Sequence, residues 1–210
     1  LVESNKVETV KIRLKDNKHL NINFSSGDIM IDCGANIGEV LAPFAIMGAT
    51  VLAYEPNIYA FEKLSERFKD NKNVRCINSA VSSRDGTAKL FLHESSGQDP
   101  LKYSTGSSLV SEKQNVDSND YVEVEIVDLS KVIKKIKEIF KKNIHILKID
   151  IEGAECELLE RLMDEDLLAD IPYVFVETHE KKIPSLRLPT QKMIERAKNL
   201  KLDNINFNWI

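Results

Sequence analysis

One stretch limits this chain more than any other: Asp28-Ile29-Met30-Ile31-Asp32-Cys33-Gly34-Ala35-Asn36-Ile37-Gly38-Glu39. A short apolar run ending in a carboxylate reads as a parallel strand buried on both faces. Gly34 and Gly38 follow, and then a helix-like segment over residues 40–47. A strand, a glycine turn and a helix make the first half of a nucleotide-binding βαβ unit. Residues 51–54 give the next buried strand, which ends in Glu55. That acid lies about 20 residues past the glycine turn, where a carboxylate can take both hydroxyls of a ribose.

The type of nucleotide follows from what the turn lacks. A dinucleotide fingerprint needs Gly-x-Gly-x-x-Gly, but the second and third places hold Asn36 and Glu39. Glu39 also puts negative charge at a helix start, where a pyrophosphate needs positive potential. A cationic cofactor without phosphate avoids that conflict, and S-adenosylmethionine (SAM) is one. The pattern Asp32-x-Gly34-x-Asn36-x-Gly38 resembles the glycine-rich first motif of Rossmann-like SAM methyltransferases. An ordinary βα turn can carry such glycines for structure alone.

A length of 210 residues suits one domain with a sizeable core. The net charge of −4 gives no global basic field, so no nucleic-acid partner is expected. The lysine-rich run 131–142 carries Val132, Ile133, Ile136, Ile139 and Phe140 at helical spacing, so it reads as a helix with a solvated lysine face. Cys33, Cys76 and Cys156 lack metal-ligand spacing and read as reduced core thiols, which places the expectation in the cytoplasm. No membrane span and no signal peptide are expected. A chain opening on Leu1 and not on methionine is compatible with a trimmed chain or with a domain cut from a longer protein.

Residues 7–14 and 20–24 alternate around Asp16-Asn17, a β-hairpin signal. The expected division is a hairpin extension, 1–27, covering one edge of a Rossmann-like domain, 28–210. Pro43 means that the helix after Gly38 starts late or is kinked. Residues 58–70 read as a helix and 74–77 as a strand. Residues 87–92 read as a further strand. The irregular stretch 93–120 is long for a compact domain and is expected to form a lid. Strands at 121–127, 145–149, 173–176 and 205–209 alternate with helices at 131–142, from after Gly153 to 162, and at 190–200. The expected fold class is therefore α/β, a largely parallel sheet with helices on both faces, preceded by the hairpin.

Ligands of open α/β sheets bind at the carboxyl ends of the strands, and polar residues stand there: Asp32, Glu55, Asn78, Asp150, and Glu177 with His179. Singly, each also suits a helix cap or a strand-end turn. Ile31 to Gly38, Tyr54-Glu55-Pro56-Asn57, Leu147-Lys148-Ile149-Asp150-Ile151-Glu152-Gly153-Ala154-Glu155 and Val176-Glu177-Thr178-His179 together resemble the FkbM-type methyltransferases, with Ser107-Ser108 similar to a short family motif. The resemblance implies a Rossmann-like, SAM-dependent O-methyltransferase. Carried over, Asp32, Gly34, Asn36 and Gly38 hold the methionine end of SAM, Glu55 the ribose, and Asn78 and Ala80 flank the adenine. Ala35, Pro56, Asn57, Ser79 and Ser108 complete the cofactor set. Pro43 departs from the family pattern. The implied acceptor is a hydroxyl of a sugar or glycan, for example a deoxysugar. The alternatives are a polyketide or other small-molecule alcohol, and a non-catalytic SAM-binding domain, for instance fused to glycosyltransferase domains.

Methyl transfer needs placement above all, and holding an acceptor oxygen in line supplies roughly 7–11 kcal/mol of the barrier. The catalytic candidates are Asp150, Lys148, Glu152 and His179. Lys148 and Asp150 point the same way on an extended strand. A carboxylate is a weak base at neutral pH, whereas an unperturbed imidazole titrates near about 6.5, so His179 is the alternative proton acceptor. Asp150, Glu177 and Glu180 are hard oxygen ligands that could hold Mg²⁺.

Overall fold

The computed structural model describes residues 7–209; residues 1–6 of the expected extension, and residue 210, lie outside the described residues. β1 (Val7–Arg13) and β2 (His19–Ser25) form the antiparallel hairpin, with Asn17 in the left-handed region at its turn. Alternation puts Val10, Ile12, Ile22 and Phe24 on one buried face, packed with Phe44, Val51, Ile146 and Phe175. The hairpin therefore covers a face of the main sheet, not an edge. Among the described residues its strands pair with each other and not with the main sheet, so apolar packing attaches it.

β3 (Ile29–Cys33) is buried at every position and runs parallel to β4 (Thr50–Tyr54), which pairs with β5 (Val74–Ile77). Pro43 lies in the first turn of α1 (Ala42–Ile46), where its missing N–H costs nothing, so that helix starts late. Asn57 caps α2 (Ile58–Phe68), accepting from the Tyr59 and Ala60 N–H groups at 3.1 and 3.4 Å. β6 (Ala80–Ser82), β7 (Gly86–His93) and β8 (Val116–Asp128) form a separate three-stranded sheet in the order β6-β8-β7. β8 starts at Val116, so the irregular stretch is shorter than expected and runs over 94–115. In its polar start, Val116 to Asp120, Val116 pairs with His93 across a register shift from the Phe91–Tyr121 pair, so the strand begins there without facing a core.

α3 (Leu129–Phe140) docks through Leu129, Ile133 and Ile136, each contributing on the order of 1.5–3 kcal/mol by burial. Ile139 and Phe140 are exposed, outside that apolar stripe. Its lysines face acids: Lys131 to Asp85 at 2.6 Å, Lys134 to Glu165 at 3.0 Å. Such surface pairs add about 0–1 kcal/mol.

β9 (Ile144–Ile149), β10 (Tyr173–Val176) and the two-residue β11 (Ile205–Asn206) complete a six-stranded parallel sheet, order β11-β10-β9-β3-β4-β5. The expected last strand is cut short: Trp209 instead bridges to Leu14 of the hairpin. α3, α4 (Glu155–Asp164) and α5 (Arg187–Asn199) pack on one face with Ile31, Cys33, Leu147 and Ile149. The hairpin, α1 and α2 pack on the other with Met30, Val51 and Ile146. Strand order reverses between β3 and β9. Such a switch point opens a crevice at the strands' carboxyl ends.

Candidate active site

The crevice is a cavity of about 270 Å³, lined from the β3 turn by Gly34 and Asn36, from the end of β4 by Glu55, Pro56 and Asn57, and from β6 by Ser79, Ala80 and Val81. Asp150, Ile151 and Glu152 close it from β9, Glu177 and Lys182 from beyond β10, and Ser104, Ser107, Ser108 and Leu109 from the 94–115 segment.

Gly34 has φ +81°, and a Cβ there would fall 1.8 Å from the Asp150 carbonyl oxygen. Only glycine lets the β3 and β9 turns approach so closely. Gly38, φ +79°, would meet Phe68 and Leu64, so it serves the packing of α2 and does not line the cavity.

Glu55 is buried and accepts one backbone N–H on each oxygen, from Asn36 and from Asn57, both at 2.8 Å. Each oxygen keeps a second lone pair for a ligand. Burial pushes its carboxyl up to about 7, against the pull of those two N–H groups.

Three serines tie the 94–115 segment across the site. Ser104 accepts from the Asn36 side-chain amide at 3.1 Å, Ser107 from that of Asn57 at 3.2 Å, and Ser108 donates to the Glu152 carbonyl at 2.5 Å. The segment is a lid closed over the residues expected to bind cofactor.

Under the crevice, Lys148 lies 3.1 Å from Asp32 and 3.4 Å from Asp150, donates to the Gly34 carbonyl, and sits 5.4 Å from the Trp209 ring centroid. Burial would lower its pKa, but Asp32 and Asp150 outweigh burial and hold it above its ordinary value. Neither Asp32 nor Lys148 lines the cavity. The expectation of direct contact thus changes for both: they fix Gly34 and Asp150 from beneath. Ala35 is likewise core, its N–H donating to Tyr54 at 2.9 Å. Asn78 is exposed and turned away from the cavity, donating to the Glu55 and Pro56 carbonyls at 2.8 and 3.1 Å, while Ser79 and Ala80 line it.

Glu152 has φ +58°, a costly conformation for a non-glycine residue and common at functional sites. Buried Glu155 holds the turn by accepting from the Ile151 and Gly153 N–H groups, each at 3.1 Å, and lies 2.9 Å from His179 Nδ1. His179 Nε2 lies 3.0 Å from Glu152 Oε2 and 3.7 Å from Asp150 Oδ1. Burial opposes charging the imidazole, but the Glu152 and Glu155 carboxylates win and push it up to about 10. Burial would likewise raise Glu152, yet His179 and Lys113 hold it at about 2. His179 is therefore an imidazolium at neutral pH in this arrangement, which corrects the expectation of a free proton acceptor. The near-neutral value assumed for it ignores the two acids beside it, buried Glu155 and half-buried Glu152.

The expected ligand set Asp150, Glu177 and Glu180 also changes. Asp150, Glu152 and His179 place one ligand atom each within 4.8 Å of one another; Glu177 and Glu180 stand outside that cluster. Among residues not singled out from the sequence are Glu155, Ser104, Lys182 and Lys113, whose Nζ bonds Glu152 Oε2 at 2.6 Å. An acid in the first turn after Gly153 was a legible signal for Glu155. Lys113 had none, since 39 positions separate it from Glu152.

Fold and site define a Rossmann-like domain whose switch-point crevice is acidic. Comparisons with known proteins narrow this. The model of the methyltransferase FkbM domain matches residues 32–196. Methyltransferase sdnD of Sordaria araneosa is 29% identical over 179 residues, covering 75% of this chain and 69% of that protein. The crystal structure of methyltransferase FkbM from Methylobacillus flagellatus KT shares the fold, with a TM-score of 0.50 at 17% identity over 82% of this chain. The chain spans 38% of that molecule's length. The chain belongs to the FkbM methyltransferase domain family.

Proposed function

We propose that this chain transfers a methyl group from SAM to an alcohol oxygen, a hydroxyl of a sugar or glycan such as a deoxysugar. The observation that carries the reading is the position of Asp150. Its carboxylate lines the cavity beside Gly34, and Oδ1 is buried without a hydrogen-bond partner. Such an oxygen can accept an acceptor O–H and aim a lone pair.

The cofactor fits the residues present. Glu55, Asp150, Glu152 and Glu177 face the cavity against Lys182 alone among the lining residues, a balance suited to a cation and hostile to a pyrophosphate. Bound SAM supplies an electrophilic methyl group. Glu55 takes the ribose hydroxyls on its free lone pairs. Ala80, Val81, Leu90 and Leu109 offer apolar walls for a flat ring. The serine lid and Ile151 exclude water, and the polar rim of Ser104, Ser107, Glu177 and Lys182 suits a polyol. Asp150 orients the acceptor, while Lys148 and Asp32 keep Asp150 in place.

Glu55→Ala is expected to weaken SAM binding by about 1.5–3 kcal/mol per bond lost. The binding also depends on pH with a definite sign. The Glu55 carboxyl is raised from 4.5 to about 7, with Lys148 lowering it and Asp32 raising it beyond the burial effect. In the fold without SAM this raised carboxyl contributes stability that is fully present below 4.5 and is lost as pH rises through about 7. Hydroxyl donors favour the ionised form, so SAM affinity rises with pH and levels off above about 7. Calorimetric titration from pH 5.5 to 8.5 checks this, and Glu55→Gln should flatten the profile. A pH-independent affinity in the unmodified chain rules out Glu55 as the ribose acceptor.

The acceptor class is tested with isotopically labelled SAM and a panel of glycans, polyketide alcohols and lipid-linked alcohols, read by mass spectrometry. Label on a glycan hydroxyl supports the reading. Label on the other alcohols only, or SAM binding with no turnover on any acceptor, overturns it.

A further inference from the structure

We propose that Asp150, Glu152 and His179 form a site for one divalent first-row transition ion, and that Lys113 occupies Glu152 until the ion arrives. The ion-binding claim stands on this cluster alone; the ion's use, holding the acceptor oxygen, rests on the methyltransferase reading above.

An acidic cluster by itself is no site, and two further observations make this one. First, His179 is 2% exposed and its Nε2 has no hydrogen-bond partner: the 3.0 Å approach to Glu152 Oε2 is close but misaligned. Asp150 Oδ1, 3.7 Å from the same nitrogen, is also buried and unpartnered. Two buried polar atoms, His179 Nε2 and Asp150 Oδ1, are thus aimed at one spot, where a bound ion would take the place of the Nε2 proton and release it to solvent. Second, the histidine is fixed from behind. Its Nδ1 lies 2.9 Å from Oε1 of buried Glu155, which is held in turn by the Ile151 and Gly153 N–H groups. A carboxylate accepting the Nδ1–H points Nε2 at the cluster, so that an ion displacing the Nε2 proton meets a correctly oriented ligand, the arrangement that orients ligating histidines. The left-handed conformation of Glu152 serves the same end by turning its side chain back over the cluster.

The donor set decides the class of ion. Two carboxylates and an imidazole make a mixed oxygen–nitrogen site. Imidazole suits first-row transition ions, whereas Mg²⁺ and Ca²⁺ prefer all-oxygen sites. Separations of 3.0 and 3.7 Å match ligands about 2.1 Å from a shared centre. Asp150 and Glu152 line the cavity, so the remaining positions open toward the acceptor.

Lys113 is the present counter-charge. It is buried, 2.6 Å from Glu152 Oε2 and 2.8 Å from the Gly106 carbonyl in the lid. An ion on Glu152 displaces that ammonium and frees one tie of the lid, so ion loading and lid position are linked.

Mn²⁺ titration of the full chain, stripped with EDTA and free of SAM, tests the site by electron paramagnetic resonance. One bound Mn²⁺ per chain is expected, with Mg²⁺ at equal concentration failing to displace it. His179→Gln and Asp150→Asn should each weaken binding by about 10–100-fold or more, and Glu155→Gln, a positioning change, by about 10–100-fold. Lys113→Met should tighten it about tenfold by removing the competitor, and this arm decides the matter where a weakened variant fails to fold. Glu66→Gln, exposed on α2 and paired with Lys69 at 2.7 Å, should leave it unchanged. No saturable Mn²⁺ site, or a site that His179→Gln and Lys113→Met both leave untouched, overturns the proposal. SAM titration of the same samples keeps the two readings apart. SAM binding and turnover without a Mn²⁺ site discard the ion alone, and a Mn²⁺ site without SAM binding discards the methyltransferase reading alone.

Discussion

Asp150→Asn is expected to lower turnover by about 10²–10⁴-fold while leaving SAM affinity and the fold nearly intact. The substitution keeps the shape and removes the charge and one strong acceptor. The fold survives because Lys148 keeps Asp32 at 3.1 Å and the Gly34 carbonyl, and because the Asp150 N–H still reaches the Cys33 carbonyl at 3.0 Å. SAM affinity is expected to survive because Glu55, the proposed ribose acceptor, belongs to a different strand end and is held by the Asn36 and Asn57 N–H groups. The check is steady-state kinetics on the methylated acceptor, with a calorimetric SAM titration and a melting curve on the same sample. Near-normal turnover would reduce Asp150 to a strand-end turn residue. A collapse of the melting curve would show that its charge balances Lys148 in the fold, not the acceptor.

Gly34→Ala is expected to be the most damaging single methyl group in the chain. The new Cβ would sit 1.8 Å from the Asp150 carbonyl oxygen, a backbone atom that no rotamer change can move aside. The φ of +81° adds strain for any L side chain. Left-handed strain of about 1–2 kcal/mol and overpacking of about 1–3 kcal/mol sum to roughly 2–5 kcal/mol. For a chain of this size that lowers Tm by on the order of 4–20 °C. SAM binding should fail as well, since separating the β3 and β9 turns opens the cavity floor. Gly97→Ala is the control: nothing lies within 4 Å of its added Cβ, so stability should change by about 0.5 kcal/mol or less. Equal melting temperatures for the two variants would mean that the turns do not pack as closely as the structure has them.

The two predictions separate what was legible in the sequence from what was not. The strand–turn–helix around Gly34 was legible because it is local. A buried run, a left-handed glycine and a helix start are fixed by neighbours within a few residues, and these governed the reading of Asp32 to Glu55. Pro43 fell within the same reach: a proline near a helix start marks where the helix begins, and α1 begins there. The hairpin was legible for the same reason, but not its place. Period-two alternation says that Val10, Ile12, Ile22 and Phe24 need cover; it does not say which surface gives it. The polar opening of β8 carried no apolar signal, because a strand on an outlying sheet need not face a core.

The sequence by itself determined a parallel α/β domain, a glycine turn unfit for pyrophosphate, and a row of acids at the strand ends. The tertiary structure alone decided which of those acids face the cavity and what charge state their neighbours hold. Asp32 points down to Lys148 while Asp150 lines the crevice, although both end neighbouring strands. Burial opposes charging His179, yet the Glu152 and Glu155 carboxylates beside it hold its imidazole well above the ordinary value. The lid closes through Asn36 to Ser104, 68 positions apart, and Asn57 to Ser107, 50 apart. Spacing along the chain sets local geometry and side-chain period. It does not encode the desolvation and the distant partners that set a buried group's charge, and these exist only once the sheet has brought separate turns to one edge.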